Sequence, residues 1–94
     1  MKLMHIYKLY VPDTDRLGPI HIRIRDLIHH KFNGCTIYKA DGMWLGLYEP
    51  VRIYEVITEN RADHIFDAFS ELLKTEGEEE AVLYTIDTIT TKGI

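Results

Sequence analysis

Two strand-forming runs stand next to each other in residues 34–58, and their adjacency limits the fold more than any other feature. The runs are Cys35 to Trp44 and Val51 to Thr58, both rich in β-branched and aromatic residues. Asp41-Gly42 is a turn or bulge signal and Glu49-Pro50 precedes the second run, so the segment is typical of an antiparallel hairpin. The fold must therefore accommodate two consecutive, paired strands.

Helical periodicity precedes this hairpin. Apolar residues recur at helical spacing, namely Leu17, Ile20, Ile24, Leu27, Ile28 and Phe32. One of residues 13–15 (Asp13, Thr14 or Asp15) is expected to cap the helix, and Pro19 suits its first turn. Residues 21–25 also alternate as a strand would, but the apolar spacing continues beyond them and Asn33-Gly34 is a stop signal. The pattern therefore favours the helix.

A second helix is expected after the hairpin. Its apolar stripe consists of Ile65, Phe66, Phe69, Leu72 and Leu73. Asn60 is the expected N-cap, and the helix is expected to end at Thr75-Glu76-Gly77. An acidic loop, Glu78 to Glu80, follows it.

Strands are predicted near both ends of the chain. Lys2 to Val11 carries apolar or aromatic residues on both faces, and Ala81 to Ile89 alternates. The order βαββαβ predicts one α+β, ferredoxin-like domain over residues 1–94, with a four-stranded antiparallel sheet and two helices on one face. Because the first strand is apolar on both faces, we expect another copy of the chain or a ligand-lined interface to cover the open face.

The composition excludes several classes of protein. With 46% apolar and 28% charged residues, the chain is neither disordered nor collagen-like. The net charge is −4, which argues against nucleic-acid binding. Charges interrupt every apolar stretch well before the roughly 20 residues that a spanning helix needs, so we expect no membrane association and a cytoplasmic location. The single cysteine, Cys35, excludes an internal disulfide.

Part of the hairpin resembles a known superfamily. Cys35-Thr36, Trp44-Leu45-Gly46 and Glu55 to Thr58 are similar to three features of CutA proteins: a Cys-Val strand, an aromatic-Trp-x-Gly loop and a strand with an inward Glu that ends in Thr. CutA proteins belong to the PII and CutA-like superfamily. The resemblance implies a ferredoxin-like subunit that assembles into a homotrimer, with ligand clefts between subunits.

Glu55 is the unusual residue of the second strand. It lies between Tyr54 and Val56 in a run that should be buried, where an unpaired carboxylate would be costly. We expect it to pair with Arg52, Lys39 or a histidine. Such a carboxylate marks either a structural ion pair or a ligand cleft, and ion-pair networks are the commoner case.

Other candidate site residues lie in the loop and on the first helix. Trp44 is expected to pack at an oligomer interface in preference to stacking on a ligand ring. His21, Arg25 and His29 fall four residues apart, beside Arg23, and form a cationic patch for a phosphate or carboxylate group. The histidine spacing does not favour zinc, and no metal or other cofactor is predicted. The predicted ligand-binding residues are Arg23, Arg25, Trp44, Arg52, Tyr54 and Glu55.

Three functions are compatible with these residues, and no catalytic set is predicted. The preferred one is an oligomeric, regulatory or ligand-binding module of PII and CutA-like type that holds an anionic or nucleotide-like ligand between subunits. The second is a cofactor-free isomerase or monooxygenase in which Glu55 or a histidine is a general base inside an apolar cavity. The third is a protein-interaction subunit that uses the acidic segment Glu76 to Glu80 and the second helix to engage a basic partner.

Overall fold

The computed structural model describes residues 1–92, which form four strands and two α-helices in the order βαββαβ. The elements are β1 (Lys2–Pro12), α1 (Gly18–Lys31), β2 (Thr36–Trp44), β3 (Leu47–Thr58), α2 (Asp63–Thr75) and β4 (Leu83–Thr91), with a 3-10 turn at Asp15–Leu17. The strands form one antiparallel sheet in the order β2-β3-β1-β4. This confirms the predicted α+β, ferredoxin-like fold. No helix within residues 1–92 is long and apolar enough to cross a membrane.

The core lies between one face of the sheet and the two helices. Alternate residues of β1 and β3 point to this face, as strand geometry requires. The register pairs Tyr7 with Val56 and Leu9 with Tyr54, so these four side chains share the core face. The helices contribute the buried side chains Ile20, Ile24, Ile28, Phe66, Phe69 and Leu73. The helix predicted through residues 21–25 is therefore confirmed over the strand, and both helices cover the same face.

The N-terminal ends of the helices differ from the prediction. Asn60 does not cap α2, whose N-cap is Ala62. The hydroxyl of Tyr7, a fully buried residue of β1, accepts the Ala62 N–H at 2.7 Å and donates to the Asp63 carboxylate. A contact with the sheet thus replaces the local cap, because it satisfies a backbone donor that the helix leaves free. At α1, likewise, none of residues 13–15 provides a side-chain cap.

The hairpin turn also lies elsewhere than predicted. Asp41-Gly42 lies within β2, where it pairs regularly with Pro50 and Glu49. The turn is formed by Leu45 and Gly46, with φ angles of 51° and 78°. Two-residue hairpin turns of type I′ require this left-handed backbone. Gly42 instead permits a close approach of strands, since a Cβ there would lie 2.7 Å from the Glu49 carbonyl oxygen.

Candidate ligand-binding site

A buried polar pair lies beneath α1. The Nε2 of His21 is 2.8 Å from the Pro12 carbonyl oxygen, and its Nδ1 is 2.6 Å from the Tyr54 hydroxyl. Burial lowers the pKa of His21, so the imidazole is neutral. Because a carbonyl only accepts, Nε2 carries the proton and donates to Pro12, while Nδ1 accepts from Tyr54. His21 is therefore a satisfied core group and not part of the predicted cationic patch.

An ion-pair network adjoins this pair at the β2 and β3 end of the sheet. Arg52 Nη2 lies 2.8 Å and Lys39 Nζ 3.5 Å from the two carboxylate oxygens of Asp13. Partial burial opposes ionisation of Asp13, but the two cations hold its pKa below the ordinary value. Lys39 and Arg52 are direct cross-strand partners, so the sheet register brings both to one carboxylate.

Arg25 adds a third cation on the same side of the sheet. Burial raises the pKa of Tyr54, and the positive charges of Arg52 and Arg25 offset part of this effect. Both guanidinium groups therefore act on the Tyr54 phenol, which is itself fully buried and bonded to His21, so Tyr54 does not face a ligand. None of the ion pairs formed within residues 1–92 includes Arg25. Its charge is available to a ligand.

A cleft of about 230 Å³ opens beside Arg25, between the C-terminal half of α1 and the start of β2. We call it the α1–β2 cleft; its lining comprises Arg25, Ile28, His29, Phe32, Asn33, Gly34, Cys35 and Ile37. Ile37 pairs with Tyr54, and Lys39 follows it on the same face of β2, so the ion-pair network continues from the cleft along the strand.

Cys35 is a poor nucleophile within this cleft. The residue is exposed, but desolvation of its thiol raises the pKa above the ordinary value. The thiol therefore stays protonated at neutral pH. Within residues 1–92, no three His, Cys, Asp or Glu side chains are arranged to hold a metal ion. The chemistry that the cleft offers is recognition of an anion by cationic and amide groups.

Arg23 lies away from this cleft. Its guanidinium Nη1 is 2.7 Å from Glu76 Oε1, and the residue lines a groove between α1 and α2. Arg16 likewise binds the acidic loop through Glu79, at 3.2 Å, and donates to the Gly77 carbonyl. The loop predicted as a possible partner surface is thus partly neutralised by basic residues of its own chain.

Glu55 lies on the open face of the sheet, where it is half-buried. Its Oε2 accepts a hydrogen bond from the Tyr38 hydroxyl at 3.2 Å, and Lys8 and Thr36 are its cross-strand partners. The predicted pairing with Arg52, Lys39 or a histidine is wrong. Arg52 is three residues away along β3, so the two-residue period of a strand sends the two side chains to opposite faces. Glu55 lines neither the α1–β2 cleft nor the groove between the helices.

Trp44 lies at the far end of the hairpin and is 61% exposed. It pairs with Leu47 next to the turn. Of the predicted ligand-binding residues, Arg25 alone lines the α1–β2 cleft. Arg52 pairs with Asp13 and Tyr54 is fully buried, while Arg23, Trp44 and Glu55 lie elsewhere.

Sequence reasoning did not assign Asp13 and His21 to their observed places. Asp13 matched a capping pattern and His21 a helical cationic patch, so local signals pointed to other roles. Each residue has a contact in β3 more than 30 positions away in the chain, His21 with Tyr54 and Asp13 with Arg52. No protein-family model matches the chain, and no curated protein matches it.

Proposed function

We propose that this protein is an oligomeric regulatory or ligand-binding module of PII and CutA-like type, which binds a small anionic, nucleotide-like ligand in a cleft at a subunit boundary. The observation that carries the proposal is the cation of the α1–β2 cleft: Arg25 lines the cleft and forms no ion pair within residues 1–92, and the lining includes no carboxylate. Arg25, Lys39 and Arg52 lie along one side of the sheet, and Asp13 is the carboxylate that two of them share.

Arginine suits the proposed ligand class. Its planar guanidinium binds carboxylate and phosphate groups through two parallel hydrogen bonds. The amide of Asn33 lines the same cleft and offers further hydrogen bonds, while Phe32 and Ile37 provide apolar surface for the rest of a ligand. This mixture of apolar walls and a few convergent polar groups is typical of small-molecule sites.

The position of β2 supports a subunit boundary at the cleft. β2 is an edge strand, so one side of its backbone has free hydrogen-bonding groups. A second copy that approaches this edge would wall the cleft from outside. The resemblance to trimeric CutA proteins makes a homotrimer the assembly that we propose, and the free Cys35 is compatible with the reducing cytoplasm.

Titration of the protein with inorganic pyrophosphate, AMP and citrate by calorimetry tests the ligand class. At least one of these anions should bind, and Arg25→Gln should weaken that binding about 10- to 100-fold, as expected for loss of a charge-assisted contact. Lys74→Gln is the control, because it removes one positive charge at an exposed position that lines neither this cleft nor the groove between the helices. Absence of binding, or equal losses in the two variants, would contradict the proposed site.

A further inference from the structure

The hairpin extends beyond the rest of the sheet as a two-stranded arm. β1 pairs with β3 only from Thr58 to Val51, whereas β2 and β3 pair with each other as far as Trp44 and Leu47. Residues 41–50, which we call the hairpin arm, therefore have no third strand beside them. A two-stranded hairpin is marginally stable in water without packing on another surface.

The hairpin arm carries an unusual amount of exposed apolar surface. The exposed fractions lie between 61% and 86% for five of its side chains: Met43, Trp44, Leu45, Leu47 and Tyr48. Cross-strand pairing puts Met43 and Tyr48 on one face and Trp44 and Leu47 on the other, so both faces are apolar. A contiguous apolar patch of this kind marks an interaction site in a folded protein.

The turn of the arm places a leucine in a strained backbone conformation. Leu45 adopts a φ of 51° and is 86% exposed. Asparagine, aspartate or glycine would fit this position at lower cost, because a left-handed conformation disfavours side chains such as leucine. A residue that is both strained and exposed to water gains nothing from the isolated fold. It points to a contact outside the subunit.

The same molecule offers an apolar groove of about 320 Å³ between α1 and α2. We call it the α1–α2 groove; its apolar lining consists of Leu27, Ile65, Ala68, Phe69 and Leu72. Its volume is at the lower end of the range for small-molecule pockets, about 300 to 1,000 Å³. Leu27 is 41% exposed in the groove.

The charges around the two surfaces are complementary. Lys31, which forms no ion pair within residues 1–92, borders the α1–α2 groove, whereas Asp41 and Glu49 flank the apolar tip of the hairpin arm. The open face of the sheet is a weaker candidate for contact, because its residue Ile53 is 6% exposed, and Ile57 and Leu83 are 42% and 57% exposed, less than the five side chains of the arm.

We infer that the hairpin arm of one copy docks in the α1–α2 groove of a second copy, with the Trp44 side chain inserted among Leu27, Ile65 and Phe69. The inference rests on the oligomeric part of the proposed function and names its contact surface. Because arm and groove are different parts of the subunit, the interface is heterologous, and it closes into a ring if the rotation between copies permits. A closed ring of three copies is the form that the proposed homotrimer would take.

A heterologous interface can be tested by mixing two variants, each of which lacks a different one of the two surfaces. Other kinds of interface would not reassemble in such a mixture. Trp44→Ser removes the arm's central side chain, and Ala68→Arg fills the groove; both positions are exposed, so neither change disturbs the core. By light scattering, wild type should be an oligomer, and each variant alone should have the monomer mass of 11.0 kDa. An equimolar mixture should form a dimer of twice that mass, because one intact arm and one intact groove remain.

The fluorescence of Trp44 gives a second readout, since it is the only tryptophan in the sequence. Dilution of wild type should shift its emission to longer wavelength as the indole leaves the groove, and Ala68→Arg should show the long-wavelength emission at every concentration. Leu83→Ser removes an exposed apolar side chain from β4 and is the control, which should remain assembled.

The possible failures are distinguishable. An assembled wild type whose two variants do not combine on mixing would overturn the docking of arm in groove while leaving the oligomeric module intact. Dissociation by Leu83→Ser but not by Trp44→Ser would assign assembly to the open face. A wild type that is monomeric at all concentrations would overturn both the docking and the oligomeric part of the proposed function, whereas anion binding at Arg25 would still be measurable.

Discussion

At the scale of single residues, His21 links the core to the proposed site. It is buried and neutral, with one nitrogen donating to a backbone carbonyl and the other accepting from Tyr54. Protonation would remove the acceptor at Nδ1 and add a buried charge near Arg25 and Arg52, both of which lower the pKa of His21 further. Fold stability must therefore depend on pH through this residue.

The sign of that dependence follows from the lowered pKa. In the unfolded chain His21 titrates near its ordinary value of 6.5, so below that pH the unfolded state binds a proton that the folded state does not. The free energy of unfolding should fall as the pH decreases from 6.5, with a slope of at most about 1.4 kcal/mol per pH unit. Urea unfolding of wild type and His21→Gln between pH 8 and pH 5 measures it. His21→Gln should be less stable than wild type at pH 8, and its free energy of unfolding should fall less on acidification. The control His30→Gln, at an exposed site, should show the same dependence of stability on pH as wild type.

The roles of individual residues were harder to predict than the helices and strands in which they lie. Arg25, Arg52 and Tyr54 were predicted as ligand-binding residues, but only Arg25 lines the cleft, because Tyr54 is buried against His21 and Arg52 pairs with Asp13. Glu55 was expected to join them because its sequence neighbours are buried. The alternation of side chains along β3 instead places it on the other face with Tyr38.

At the scale of elements, the residue in the hairpin turn that suits the proposed contact between copies is not the one that would make the single subunit most stable. Leu45 and Gly46 both have positive φ, which Asn-Gly would adopt without strain. Leu45→Asn should therefore stabilise the monomeric fold by about 1 kcal/mol and at the same time weaken self-association. Urea unfolding in the Ala68→Arg background, where the chain is monomeric, measures the first effect, and light scattering in the wild-type background measures the second. If Leu45→Asn is more stable and assembles as well as wild type, Leu45 does not contribute to the interface.

The order of elements could be predicted from local periodicity, whereas their ends could not. Strand alternation and the helical stripes fix βαββαβ because each signal lies within one element. The start of α2 depends on Tyr7, which is 55 residues from Ala62, and no local pattern contains that contact. Asp41-Gly42 has the composition of a turn, but Gly42 is needed within β2 for close approach to Glu49. A leucine in the true turn gave no signal at all.

At the scale of the whole molecule, the proposed binding site and the proposed assembly surface share β2. The α1–β2 cleft lies at the start of this strand and the hairpin arm contains its end. A neighbouring copy held by the arm would lie close to the edge of β2. If that copy completes the cleft, anion binding and assembly are coupled, and the coupling must be reciprocal.

The coupling predicts that a change at the end of the arm alters binding in the cleft. Trp44 lines no part of the α1–β2 cleft, yet Trp44→Ser should weaken the binding of pyrophosphate. The expected loss of affinity is about 5- to 150-fold, the range that is typical of linked sites. Calorimetry at a concentration where wild type is assembled and the variant is monomeric measures this factor. By reciprocity, saturating pyrophosphate should shift diluted wild type toward the oligomer in sedimentation experiments, and should leave Arg25→Gln unaffected. Equal affinities in wild type and Trp44→Ser would mean that one subunit contains the complete site, because assembly would then add no contact to the bound anion.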